Sequence, residues 1–297
     1  MHSKVLLSHA AMICFSIFVG GSFVISAVLA DQISPEFLTL LRFSTSAVLL
    51  ICLIIYCKNK LAFLIDYWMS LSILALCYVL FFILMFYSLR FTSPTSAAII
   101  FTLLPFISLC LGQLFDRKLS GLRTFLVLAL GASGALVVIV RGEPQNLFAF
   151  KFNFGDLIML LGTIFHALYI VLLPKMKIKA DPLQITTGVT FYGAILLFFI
   201  SLRDVDIEAV YNFSIEHWLS FSYLVICASI GTFSLLAFAS RNISTTHVSS
   251  YTYLIPVWAA LVDTFVMTDK IPPYFWIGII PILICNLLLL KTRAISA

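Results

Sequence analysis

Apolar residues run along this chain in stretches of about twenty, separated by short polar breaks, from one end to the other. Reading the runs between breaks predicts helices over about 5–29, 35–57, 68–90, 93–115, 121–141, 155–174, 182–202, 216–240, 245–268 and 271–291. Each is long enough to cross a hydrocarbon core about 30 Å thick. The breaks carry helix-boundary chemistry. Ser34-Pro35 and Asp181-Pro182 each place a capping side chain before a proline at the first helical position, and Pro272-Pro273 opens the last run similarly. A membrane β-barrel would need alternating segments of about ten residues; the sequence has none.

Composition agrees with this pattern. Of 297 residues, 62% are hydrophobic and 10% charged, and the mean hydropathy is +1.11. A soluble fold carries about 25% charged residues, so the expected class is an all-α polytopic membrane protein with ten transmembrane helices. Lys4 precedes an apolar run that reaches Leu29, too long for a signal peptide, which predicts a retained first helix. Seven scattered cysteines without a CxxC pair read as buried inert thiols rather than a disulfide framework or zinc site. The net charge of +5 reflects topology, not affinity for nucleic acid.

Lys and Arg set the orientation. With the N-terminus in the cytoplasm, the cytoplasmic segments hold twelve basic residues: Lys4, Lys58, Lys60, Arg117, Lys118, Arg123, Lys175, Lys177, Lys179, Arg241, Lys291 and Arg293. The outer segments hold five, Arg90, Arg141, Lys151, Arg203 and Lys270, together with most acids, including Asp204, Asp206, Glu208 and Glu216. Both termini are therefore expected in the cytoplasm.

Two stretches match at an offset of 151 residues. Arg90-Phe-Thr-Ser93-Pro-Thr95, continuing to Leu103-Leu-Pro105, is echoed by Arg241-Asn-Ile-Ser244-Thr-Thr246, continuing to Leu254-Ile-Pro256. Pro35 and Pro182 open the second helix of each half. The expected organisation is two five-helix repeats, 1–145 and 146–297. An odd helix count forces the second copy to insert upside down, a common basis for alternating access with a site near the midplane.

Here the chain resembles the ten-helix EamA-type transporters of the drug/metabolite transporter superfamily. The resemblance covers almost the whole chain and rests on loose motifs in combination. They are a basic residue and small polar turn ending the third helix of each half, Leu-x-Pro in the fourth, and an acidic residue before the fifth, at Asp116-Arg-Lys-Leu-Ser120 and Asp269-Lys-Ile-Pro272. The family's second-helix arginine looks like Arg42, and its sixth-helix start looks like Gly155-Asp156-Leu, leading to Ala167-Leu-Tyr169. Two positions depart. Val19-Gly20 stands where the family often has Trp-Gly, and His166 stands where it has a tryptophan. Both positions face the cavity in the family, so the resemblance implies a different substrate from the better-known members.

Ionisable groups inside spans default to functional candidates. His166 lies about eleven residues into the sixth helix, roughly 16 Å along it. Its ordinary pKa near 6.5 suits proton exchange; the plainer reading is a neutral histidine hydrogen-bonded to a neighbouring helix. Asp263 and Arg42 sit roughly 8 and 10 Å from the outer ends of helices nine and two. They read either as a structural ion pair or, more sharply, with Asp263 as a proton acceptor whose partner changes between states.

Aromatics make up 14% of the chain. The family's cavity is lined by helices one, three, four, six, eight and nine, which nominates Phe23, Tyr78, Phe82, Phe101, Tyr169 and Tyr251, against core packing for any one of them. Such a wall suits an amino acid, an aromatic metabolite or a quaternary ammonium. Pro105 and Pro256 lie mid-helix in symmetry-related spans and read as paired bending points or fixed kinks. Gly131-Ala-Ser133-Gly134 reads literally as the rhomboid protease motif, with His166 nominated as its base; small residues that let helices approach explain the Gly and Ser without chemistry.

The sequence therefore predicts a non-enzymatic secondary transporter in the cytoplasmic (inner) membrane of a bacterium. It would take a small-molecule substrate, with protons as a candidate coupling ion, in a monomer or weak dimer. A non-transporting receptor or scaffold is the alternative, and an intramembrane serine protease using Ser133 the remote one. No P-loop or HExxH is present, so no cofactor, metal or nucleic-acid partner is expected.

Overall fold

Proline and its neighbours fix where the helices begin. In the computed structural model, which describes residues 2–58, 60–116, 122–139, 153–203, 205–240, 242–243, 251–266 and 271–291, the backbone N–H of Phe37 donates to Ser34 Oγ, and Pro35 is the first helical residue. Before Pro182 the cap is reciprocal. The Gln184 backbone N–H donates to Asp181 Oδ1 while the Asp181 N–H donates to Gln184 Oε1, each at 3.0 Å, a capping box around Pro182.

The described chain is helical, without strands. The helices are α1 (His2–Ala30), α2 (Pro35–Tyr56), short α3 (Ala62–Asp66), α4 (Trp68–Ser88), α5 (Pro94–Phe101), α6 (Leu104–Asp116), α7 (Leu122–Ile139) and α8 (Phe154–Leu172). Then come α9 (Pro182–Ile200), short α10 (Ile207–Tyr211), α11 (Ile215–Val225), α12 (Thr232–Ser240), α13 (Ile255–Val266) and α14 (Pro273–Lys291). Seven helical spans among the described residues are long and apolar enough to cross a membrane. Three shorter apolar helices, Leu122–Val138, Tyr251–Val266 and Pro273–Leu289, accompany them. Arg241, Ser244, Thr246, Asp269, Lys270, Arg117, Lys118, Ser120, Arg141, Lys151, Asp204 and Arg293, all used in the sequence argument, lie outside the described residues.

Three predicted helices are not continuous α-helices. The span expected over 93–115 breaks after Phe101, and the Thr102 and Leu103 N–H groups turn back three residues to Ile99 and Ile100. The cause is Pro105: a proline ring clashes with the carbonyl four residues before it, which is that of Phe101. The span expected over 245–268 is described from Tyr251, where a 3₁₀ turn, Tyr251–Leu254, precedes α13. Pro105 and Pro256 are thus each the second residue of a helix that follows a tight turn, rather than mid-helix. The span expected over 216–240 carries a π turn, Ile226–Gly231, between α11 and α12.

Packing pairs helices across the two halves. Helix α7 lies along α14, α2 along α9, α4 along α8, and α1 along both α13 and the α11–α12 span; α5 meets α13, and α8 meets α5 and α6. At the α7–α14 seam, a Cβ on Gly278 would stand 2.7 Å from the Gly134 carbonyl oxygen and 2.7 Å from Val138. The small residues there serve close approach. We call the end where α1 begins the terminal face and the end where α1 meets α2 the far face.

Candidate functional site

A cavity of about 390 Å³ opens between the helices. Its wall runs from mid-bundle residues, including Phe23, Arg42, Tyr78 and Phe101, to residues of the terminal-face ends of their helices, such as Met12, Leu173, Pro182 and Leu236. Its deep part is aromatic. The His166 ring centroid lies 4.5 Å from that of Phe81, 5.2 Å from Phe101 and 5.4 Å from Tyr78, all edge-on, and Tyr78 lies 4.9 Å from Tyr169. Edge-to-face and offset pairs at these separations stabilise one another, so the wall is preformed. His166 and Tyr169, three apart on α8, share the face that meets α4 and α5. The His166 Nδ1 is buried without a hydrogen-bond partner.

Among the described residues, one cation stands in this wall. Arg42, on α2, is 2% exposed, and its guanidinium lies over the Phe82 ring at 4.3 Å. Its Nε donates to Ser229 Oγ (3.2 Å) and its Nη2 to the Ala228 carbonyl (3.3 Å). Both acceptors belong to the π turn. The wider i→i+5 spacing leaves backbone acceptors of that turn available to a neighbour, and the Ser229 hydroxyl folds back onto the Leu224 carbonyl, five residues earlier. Among the described residues, no acidic side chain lines the cavity.

The far-face ends of the same helices are tied together. Arg90 donates from Nε to the Ala30 carbonyl (2.7 Å) and from Nη2 to that of Ile33 (3.0 Å). Thr95 donates to Asp263 Oδ2 and Thr92 to Asp156 Oδ1, each at 2.5 Å. Gly155 lets α8 come this close: a Cβ there would stand 2.8 Å from the Ser88 carbonyl oxygen and from the Thr92 nitrogen.

Of the residues nominated from sequence, the structure gathers Phe23, Arg42, Tyr78, Phe82, Phe101, His166 and Tyr169 around one cavity. It also puts Val19 there. Tyr251 sits outside: its hydroxyl meets His9 Nδ1 at 2.8 Å, its ring packs with Met12 and Ala239, and Thr252 takes its place in the wall. Asp263 belongs to the far-face ties, and the hydrogen bonds of Arg42 and Asp263 run to different partners, Ser229 and Ala228 for one, Thr95 for the other. Ser133 is exposed on α7 and donates to its own helix at Leu130; neither it nor any other α7 residue lines the cavity that holds His166. Sequence reasoning missed Phe81, Asp156 and the π turn. Asp156 was signalled by an acid in the first turn of a helix after a glycine.

A model of the EamA-like transporter family matches residues 6–140 and matches again over 153–291. An uncharacterized transporter of Archaeoglobus fulgidus is 28% identical over 280 residues, 93% of each chain. A Chlamydia muridarum protein named as an S-adenosylmethionine/S-adenosylhomocysteine transporter is 23% identical, covering 85% of this chain and 82% of its own. A solved crystal structure shares the fold, with a TM-score of 0.69 over 97% of this chain and 99% of that one, at 16% identity. Two matches that together span nearly the whole chain, around helices long and apolar enough to cross a bilayer, place this multi-pass membrane protein in the EamA-like transporter family.

Proposed function

We propose that the protein is a secondary transporter that moves a small amphipathic metabolite by alternating access, using ten spans arranged as two inverted five-helix repeats, 1–145 and 146–297. The observation that carries this reading is the placement of the cavity relative to the hydrogen bonds at the far face. Its wall reaches toward the terminal face, while Arg90, Thr92 and Thr95 tie the far-face ends together. A solute would enter at the terminal face, and the molecule would release it after the far-face ties part and the opposite end closes.

The helix pairing supports the repeat. Exchanging each span with its counterpart in the other half maps the α4–α8 pair onto the pair that α1 makes with α11–α12. It also maps α1–α13 onto α8–α6 and leaves α2–α9, α5–α13 and α7–α14 unchanged as pairs. The charge bias of the loops favours the cytoplasmic side for the terminal face. Proton coupling enters through Asp263. An ionised carboxylate accepts the Thr95 hydrogen bond more strongly than a protonated one, so protonation would loosen a far-face tie.

Efflux from sealed vesicles tests the reading. Proteoliposomes loaded with a uniformly ¹³C-labelled extract of small metabolites would be compared with protein-free vesicles, with mass spectrometry of what leaves. Faster loss of a specific subset of solutes is expected. If every solute leaves both preparations at the same rate, the transporter reading gives way to a receptor or scaffold.

A further inference from the structure

The cavity has a chemical bias that its shape and aromatic wall do not by themselves require. Arg42 carries five N–H donors on a guanidinium that stays protonated. Two donate, at 3.2 and 3.3 Å, to uncharged oxygens in the π turn. Its Nη1 is buried with no hydrogen-bond partner. The Phe82 ring face offsets part of the charge. Among the described residues no carboxylate in the wall offsets the rest, and the two other buried charged side chains, Asp156 and Asp263, accept from Thr92 and Thr95. An uncompensated buried cation is costly, so this position is maintained at a cost that an incoming anion would relieve.

We propose that the solute bound here is an amphipathic monoanion, with a carboxylate head received by Arg42 and a planar apolar body laid against Tyr78, Phe81, Phe101 and His166. The π turn supplies the local means. It holds Nε and Nη2 through neutral acceptors that do not cancel the charge, and so orients the guanidinium while leaving Nη1 for the head. A cavity of about 390 Å³ has room for a head and one ring system. A purely cationic amine is disfavoured because its head would face Arg42. A zwitterion is admitted, its carboxylate at Arg42 and its ammonium over ring faces. The assignment rests on the cavity being the cargo site of the transporter.

Three ligands that share a body and differ in the head test it: 3-phenylpropionate, 3-phenylpropionamide and 3-phenylpropylamine. Each would be titrated into the purified full-length protein at pH 7, with binding read by calorimetry and thermal stabilisation. The carboxylate should bind about tenfold or more tighter than the amide and the amine, the difference a charge-assisted bond makes. Arg42→Gln should abolish that preference, and Arg42→Lys should keep part of it. The inference is overturned if the amide or amine binds the wild-type protein as tightly as the carboxylate, if the carboxylate does not bind, or if Arg42→Gln keeps the preference. The wild-type series stands even where a variant fails to fold. Efflux of labelled metabolites without a head-group preference would sink this inference and leave transport standing. A head-group preference without efflux would do the reverse.

Discussion

Thr95 Oγ1 donates to Asp263 Oδ2 at 2.5 Å, joining the first turn of α5 to the far-face half of α13, with both residues buried. A helix from each half of the chain is fastened to the other by this bond. Its position matters because α1, α5 and α13 meet one another around the far-face end of the cavity. A hydroxyl bonded to a carboxylate contributes about 1.5–3 kcal/mol. Thr95→Val, which keeps the shape and removes the donor, should destabilise this closed arrangement by about that amount. Thermal unfolding of the purified variant checks the magnitude.

Asp263→Asn separates charge from bonding. Asn can still accept from Thr95, so folding and melting temperature should change little. If Asp263 is the proton-responsive group, solute flux in the variant should lose the pH dependence of the wild type. Flux assayed at pH 6 and pH 8 decides it: an unchanged pH profile would return Asp263 to a purely structural role.

Arg90 holds two backbone carbonyls of the α1–α2 connection, and a planar guanidinium can do this where an alanine cannot. Arg90→Ala should release the far face. A cysteine placed at the cavity residue Ser22, in a cysteine-free background, should then react with an impermeant maleimide supplied on the Arg90 side. With Arg90 intact, labelling from that side should be slower. Equal rates would show that the clamp does not control access.

Two glycines predict opposite outcomes for the same substitution. Gly278→Ala would drive a Cβ to within 2.7 Å of the Gly134 carbonyl oxygen at the α7–α14 seam, and overpacking of this kind costs about 1–3 kcal/mol. A Cβ added to Gly112, on α6, would meet nothing within 4 Å, so Gly112→Ala should stabilise by about 0.5–1 kcal/mol through reduced backbone freedom. Paired melting curves in one detergent would show the two signs.

Pro105→Ala restores an N–H able to reach the Phe101 carbonyl and lets α5 and α6 join. The melting temperature should hold or rise while flux falls. A bias of about 1.4 kcal/mol toward one state reduces the other tenfold. Flux unaffected by the change would mark the break as a fixed kink rather than a working joint.

The helix positions were legible because a run of twenty apolar residues has few other fates in a bilayer, and because Ser34, Asp181 and their prolines announce their turns. Most of the cavity wall was legible too: Tyr78 and Tyr169 are amphipathic rings in apolar spans, and His166 is ionisable there. What failed to show was geometry that hydropathy does not encode. The family resemblance nominates Tyr251 as though its span were α-helical from the start. In a 3₁₀ turn successive side chains step by about 120° rather than 100°, and the wall position falls to Thr252. Arg42 and Asp263 look like partners by depth and charge. The acceptors of Arg42 are instead a carbonyl and a hydroxyl of a π turn, and Cys227-Ala-Ser-Ile-Gly231 gives little sign of one beyond its small residues.

The π turn contains one residue more than an α-helical path through the same span would use. The bulge absorbs that surplus, so Thr232 and Leu236 face the cavity as they would after an unbroken α-helix. Substituting a single small residue between Ile226 and Gly231 leaves the count intact. Deleting one would restore an ordinary α-helical path, leave α12 in phase, and remove the turn whose Ser229 hydroxyl and Ala228 carbonyl hold Arg42. The segment should therefore tolerate changes of letter far better than changes of length.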